Sequence, residues 1–376
     1  MSVRQKKSWF MVLGGMVLGA ATFAVCPDGL WAAPSAAVVS HRRAVEQGID
    51  FLRSRQLQDG SFSPESGPGI TALAVTALLR NGVSVDDPAV TKGTDYLKTM
   101  IRPDGGIHRL DSRYRNYETC LAVMCFAEAN RDGRYDKVLE NADRFLKSIQ
   151  WGIADPLESS DAAYGGAGYG KHKRPDLSNT AFLIEALRTL GNDENSESIQ
   201  MALVFVSRCQ NLPTEHNQTP FAAKVDDGGF YYTAAAGGTS QAGETADGGL
   251  RSYASMTYAG LKSMLFAGLT PDDDRVKAAL AWIRKHYDLT QNPGMRDAGL
   301  YYYYHTFAKA LSVAGISQIV DSKKAVHDWR VDLNGELIQR QQKDGSWTNA
   351  NPRWLEGNAD LVTGYALLAL SYTAPQ

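Results

Sequence analysis

The sequence predicts an all-α fold, a single α6/α6 toroid in which six helical hairpins close into a ring of inner and outer helices. Three observations carry that expectation. The stretch Gln341–Trp347, QQKDGSW, has a first copy at Gln56–Phe62, QLQDGSF, and shorter glycine turns recur between them at 103–106, 164–166, 226–230 and 247–249. Between the turns, segments with one wet face alternate with segments apolar on most sides. The last helix, Leu361 to Tyr372, is apolar nearly all round, a face that an open-ended array would leave bare to water.

Taken in order, residues 1–33 have the composition of a targeting segment, because Arg4, Lys6 and Lys7 precede an apolar stretch from Trp9 to Val25. Export to the periplasm or cell exterior follows, with an uncleaved inner-membrane anchor as the variant that would bring membrane association. One domain is expected over 41–374. Its first helix, 41–56, places Val45, Ile49 and Leu52 on one stripe among Arg42, Arg43, Glu46 and Arg53, so it belongs outside. The next, 70–80, has hardly a charge before Arg80 and belongs inside. The same reading puts outer helices at 89–101, 136–150, 198–210, 274–287 and 327–342, and inner ones at 117–129, 177–190, 253–268, 300–314 and 359–373. The long glycine-rich insertion Gln210–Arg251 is expected to cover one mouth, and Gly229–Tyr232 is the best strand signal.

Composition narrows the function. The 376 residues are 44% hydrophobic and 21% charged, which suits a large core, and the net charge of −2 gives no basic excess for nucleic acid. Cys120, Cys125 and Cys209 all fall inside expected helices and read as core fillers rather than a disulfide framework.

The QLQDGSF and QQKDGSW turns resemble the QW motifs of squalene-hopene cyclases and other class II terpene cyclases, and the helix alternation is similar to their α/α toroid, shared with protein prenyltransferase β-subunits. The resemblance spans nearly the whole domain and implies that Gln341 and Gln56 cap helix ends while Trp347 and Phe62 stack on the turns. It implies a candidate catalytic acid in Asp176, because PDLSNTA at 175–181 is similar to the Asp-x-Asp-Asp-Thr-Ala motif that protonates an alkene. Here Ser178 takes the place of the central acid and Asn179 that of the last, so Asp176 alone survives, and helix capping is its rival role.

Tyr304-His305-Thr306 resembles the segment that carries a zinc-ligand histidine in prenyltransferases. Its partner segment reads Asp247-Gly248-Gly249, where the family has a cysteine. Asp247 and His305 are thus an incomplete zinc set, and no metal or other cofactor is expected. Tyr117, Phe182, Tyr258, Tyr304 and His305 are the candidate walls of a central cavity for an apolar, isoprenoid-type ligand. Two other readings stay open at this point. One is a non-catalytic structural or protein-interaction toroid; the other is a carbohydrate-active α/α barrel with a carboxylate pair drawn from Glu118, Glu244, Asp226, Asp227 and Asp247.

Overall fold

The computed structural model describes residues 35–153, 156–170 and 174–374, so residues 1–33, expected to be a targeting segment, lie outside the described residues. Twelve helices of at least twelve residues alternate along the described chain. The outer ring is α1 (Ala36–Arg55), α3 (Pro88–Thr99), α5 (Asp136–Ser148), α7 (Glu197–Arg208), α9 (Asp274–Lys285) and α11 (Trp329–Arg340). The inner ring is α2 (Pro68–Arg80), α4 (Arg115–Ala129), α6 (Leu177–Thr189), α8 (Ala254–Phe266), α10 (Leu300–Val313) and α12 (Ala359–Leu370).

Burial follows composition. Helix α1 buries only the stripe Ala44, Val45, Gly48, Ile49 and Leu52, whereas every residue of α2 from Pro68 to Leu79 is buried. Each inner helix packs on the next, and α12 returns to α2, so the ring is closed. At this seam α1 also packs on α12. Gly364 of α12 lets Leu73 of α2 approach its backbone, and Gly48 of α1 does the same for the Trp347 ring.

Four of the six turns between outer and inner helices repeat one device. Gln56, Gln150, Gln210 and Gln341 each donate through Nε2 to two carbonyls, one in their own turn and one in an outer helix of the neighbouring hairpin. For Gln341 the two acceptors are Gly345 O at 3.0 Å and Ala44 O at 2.9 Å, so the last turn is tied to α1. Trp347 is fully buried, its backbone N–H donates to Thr363 Oγ1, and its Nε1 donates to Leu337 O. Gly345 has φ +87°, and a Cβ there would collide with the Gln47 carbonyl of α1. Gly60, Gly105, Gly165 and Gly228 meet Lys92, Asn141, Met201 and Ala278 in the same way. Gly248 does not: only the Lys224 Nζ comes near it, so 247–249 is a turn of the insertion and not a copy of the repeat.

Two expectations change. Gly229–Tyr232 is not a strand; Phe230 makes only an isolated bridge with Gln210. The strands present among the described residues, β1 (Gln318–Val320) and β2 (Val326–Asp328), form an antiparallel hairpin before α11. Three residues per strand are too few for an alternation to register in sequence. The insertion 210–251 has its own small cluster of Tyr231, Ala234 and Leu250 with Phe221. It runs along the mouth: the Tyr232 carbonyl accepts from Leu177 N at the start of α6, and Gln241 accepts from Arg353 in the loop before α12.

Candidate functional site

The inner helices all start at the same mouth, and helical period decides which side chains reach the axis. On α6 these are Ser178, Phe182 and Glu185; on α10 they are Tyr302, His305 and Lys309. Near the mouth they form an aromatic collar. Ser178 Oγ and Tyr302 OH are 3.0 Å apart, and Tyr117 OH of α4 and Tyr365 OH of α12 are 3.2 Å apart. Phe182 stands edge-on to Tyr117 at 5.2 Å and tilts toward Tyr302 at 6.2 Å. Tyr365 lies 6.0 Å from Tyr302 and stacks on His305 at 5.7 Å. Four helices therefore supply one collar. Tyr117, Ser178 and Tyr302 are half-buried at its outer side, and Phe182, Tyr365 and His305 are buried beneath.

Below the collar lies a charged layer. Glu185, 2% exposed, bridges Lys262 of α8 through one carboxylate oxygen and Lys309 of α10 through the other. Burial alone would raise the Glu185 carboxyl, but the two ammonium groups outweigh it and hold it well below the usual range. Burial lowers Lys262 against the pull of Glu185. Lys262 Nζ also stands 5.9 Å from the centre of the Phe182 ring. Burial, helped by Lys309, Lys262 and Arg80 and opposed by Glu185, pushes His305 down to about 3, so its ring is neutral, and among the described residues its buried Nδ1 has no hydrogen-bond partner. At the far end Arg80 pairs with Glu128 and donates to Tyr372 OH at 2.5 Å.

Asp176 is committed to α6. One carboxylate oxygen accepts from Asn179 N at 2.9 Å and the other from Asn179 Nδ2 at 2.8 Å. Burial pushes its carboxyl up to about 6 against these hydrogen bonds. Glu356 plays the same part for α10, accepting from Tyr302 N at 2.8 Å and from Asn349 Nδ2 at 2.7 Å. Glu118 is buried, accepts from Arg109 N at 3.2 Å, and is raised by burial.

Of the residues that the sequence singled out, Tyr117, Phe182 and His305 meet on the axis, and Tyr258 and Tyr304 do not. Tyr258 packs on Tyr303 at 5.7 Å and Phe307 at 4.9 Å, and Phe307 on Trp329 of α11, so it fills the layer between the rings. Tyr304 donates to the Leu289 carbonyl. On α10 positions 303, 304 and 307 face away from 302, 305 and 309, a split that the helix period imposes once one of the two stripes faces the axis. Asp247 is exposed in a turn beside Thr245 while His305 is buried, so the structure separates them. Asp227 is held by Ser252, Trp282 Nε1 and Gly229 N, and Asp226 and Glu244 are exposed.

No family model matches the chain, and no curated protein matches it in sequence. Solved structures do match in shape. A variant of the type II terpene cyclase MstE from Scytonema, in complex with its product merosterolic acid A, superposes with a TM-score of 0.54 at 14% identity, covering 90% of this chain and 98% of that one. A wild-type glycosidase superposes with a TM-score of 0.53 at 12% identity, covering 91% and 99%. This chain is an α/α toroid. At such identities the likeness is one of fold, and the site must be argued from its own residues.

Glu185, Lys262 and Lys309 are the toroid residues that the sequence reading passed over. A signal was present. Each is the single charge in the middle of its inner helix, at the ninth or tenth residue, with only Arg188 besides in the last turn of α6, so the repeat sets all three at one height. Charges in such a place are rarely left unpaired.

Proposed function

We propose that the toroid binds an apolar, isoprenoid-type ligand along its axis and does not start cyclisation by protonating an alkene. The observation that carries the reading is the collar of Tyr117, Phe182, Tyr302 and Tyr365, whose π faces and edges converge from four helices beneath a half-exposed mouth. The fold shared with a terpene cyclase that holds merosterolic acid A supports it. Protonation needs a strong carboxylic acid aimed at the ligand. The residue that faces the collar is Ser178, and Asp176 is spent on Asn179. The leader-like composition of residues 1–33 supports export of this binding function.

Native mass spectrometry of protein purified from its own compartment, followed by organic extraction, should reveal a bound polyprenyl species. Incubation with squalene and shorter polyprenyl substrates should yield no cyclic product by gas chromatography. Cyclic products lost on Asp176→Asn would overturn the second half of the proposal.

A second reading has one observation behind it. Asp176, pushed up to about 6, and Glu118, raised by burial, stand at the mouth on neighbouring inner helices, and carboxyls raised in this way serve as glycosidase acids. Hydrolysis of a polysaccharide, abolished by both Asp176→Asn and Glu118→Gln, would establish that reading over the first.

A further inference from the structure

The charged layer holds more hydrogen-bonding capacity than its own residues use. An ammonium group carries three N–H donors. Among the described residues Lys262 and Lys309 each spend one, on opposite oxygens of the same Glu185 carboxylate. Both lysines are at least nine-tenths buried, at 4% and 7% exposure. His305, at 6%, adds an Nδ1 without a partner among the described residues, and its neutral ring can carry its single N–H on that atom. Unspent donors in a dry interior are costly, and a native core seldom keeps several in one place unless something fills them.

The charges point the same way. Two ammonium groups face one carboxylate, and Arg80, the further charge that His305 senses, is already matched by Glu128. The layer therefore carries one excess positive charge directly beneath the collar, with Lys262 within reach of the Phe182 face.

We propose that Lys262, Lys309 and His305 form an anion site that receives the carboxylate head of the ligand whose apolar part the collar holds. This rests on the collar reading given above and names the ligand more closely: an apolar chain ending in a carboxylic acid. A carboxylate brings one negative charge and two acceptor oxygens, which balances the excess. A phosphate monoester brings about −1.5 to −2 and a third strong acceptor, which exceeds it. An alcohol balances nothing.

The test uses the purified chain and four probes: farnesoic acid, farnesol, farnesyl phosphate and palmitic acid, titrated by calorimetry. Wild type should bind farnesoic acid about tenfold or more tighter than farnesol, in line with hydrogen bonds to charged groups, and tighter than farnesyl phosphate. Lys309→Met leaves Glu185 and Lys262 as a neutral pair. It should erase the preference for the acid over the alcohol, and Lys309→Arg should keep that preference. Should Lys309→Met fail to fold, Lys262→Met makes the same change from α8.

Equal binding of farnesoic acid and farnesol, or a preference that survives in the methionine variant, overturns the anion site and leaves the collar reading standing. Tighter binding of farnesyl phosphate overturns the carboxylate assignment. Palmitic acid bound as tightly as farnesoic acid, with the same dependence on Lys309, supports the anion site and overturns the isoprenoid part of the collar reading. Binding of no probe overturns both.

Discussion

The rim of turns and the axis that it encloses are built on opposite principles. Around the rim one solution recurs: a glutamine amide ties its own turn to the neighbouring hairpin, and a left-handed glycine lies flat against an outer helix. Along the axis the inner helices contribute different sets of side chains. Helix α6 brings Ser178, Phe182 and Glu185, α8 brings Lys262, and α10 brings Tyr302, His305 and Lys309. The difference teaches where repetition is required. Closing a ring demands equivalent joints, because every hairpin must turn by a similar angle, whereas the space inside has only one set of neighbours and can be specialised residue by residue.

The largest effect should come from the axis. Glu185→Gln removes the carboxylate that both buried ammonium groups share, and stranding buried charge costs on the order of 3–5 kcal/mol. Urea denaturation should show that loss for Glu185→Gln and a far smaller one for Lys309→Met, which leaves a neutral pair. Equal losses would mean that the layer is not an excess-cation site.

Where the axis meets the rim, Asp176 gives a pH test. Its unfolded value is near 3.8 and its folded value about 6, so the native state binds more protons than the unfolded chain between those values. The contribution of this group is therefore most favourable below about pH 4 and falls as pH rises to 6, by roughly 3 kcal/mol. Asn cannot titrate. The difference in stability between wild type and Asp176→Asn should shift in favour of Asn over that window, read by thermal melts from pH 4 to 7. A flat difference would show that Asp176 is solvated.

The rim should respond less, and by position. Gly345 and Gly82 both have left-handed φ, at +87° and +86°, but a Cβ at Gly345 meets the Gln47 carbonyl while one at Gly82 meets nothing within 4 Å. Alanine should cost about 1–2 kcal/mol at Gly82 for the backbone alone and about 1 kcal/mol more at Gly345. Similar melting temperatures for the two variants would count against the contact that ties the last turn to α1.

Much of this was legible beforehand, for stated reasons. Val45, Ile49 and Leu52 fall on the buried stripe of α1 because a one-sided helix shows its period in composition, and closure followed from the apolar girth of Leu361–Tyr372. Gln150 and Gln210 escaped notice as members of the repeat because no Asp-Gly-Ser follows them closely; their acceptors, Gly165 and Gly228, are 15 and 18 residues downstream. Tyr258 and Tyr304 were placed on the axis because an apolar helix is aromatic on both faces, and composition alone does not say which face turns inward.

What the sequence by itself determined is the architecture: helix period, turn glycines and the apolar ends act locally, within a few residues, and so can be read without knowing the neighbours. What only the tertiary structure decided is the site. Asp176 became a cap, Ser178 a collar residue, and Glu185 the shared partner of Lys262 and Lys309, residues 77 and 124 positions away. A charge acquires its role from what stands within a few ångströms of it after the ring has closed, and sequence distance carries no record of that.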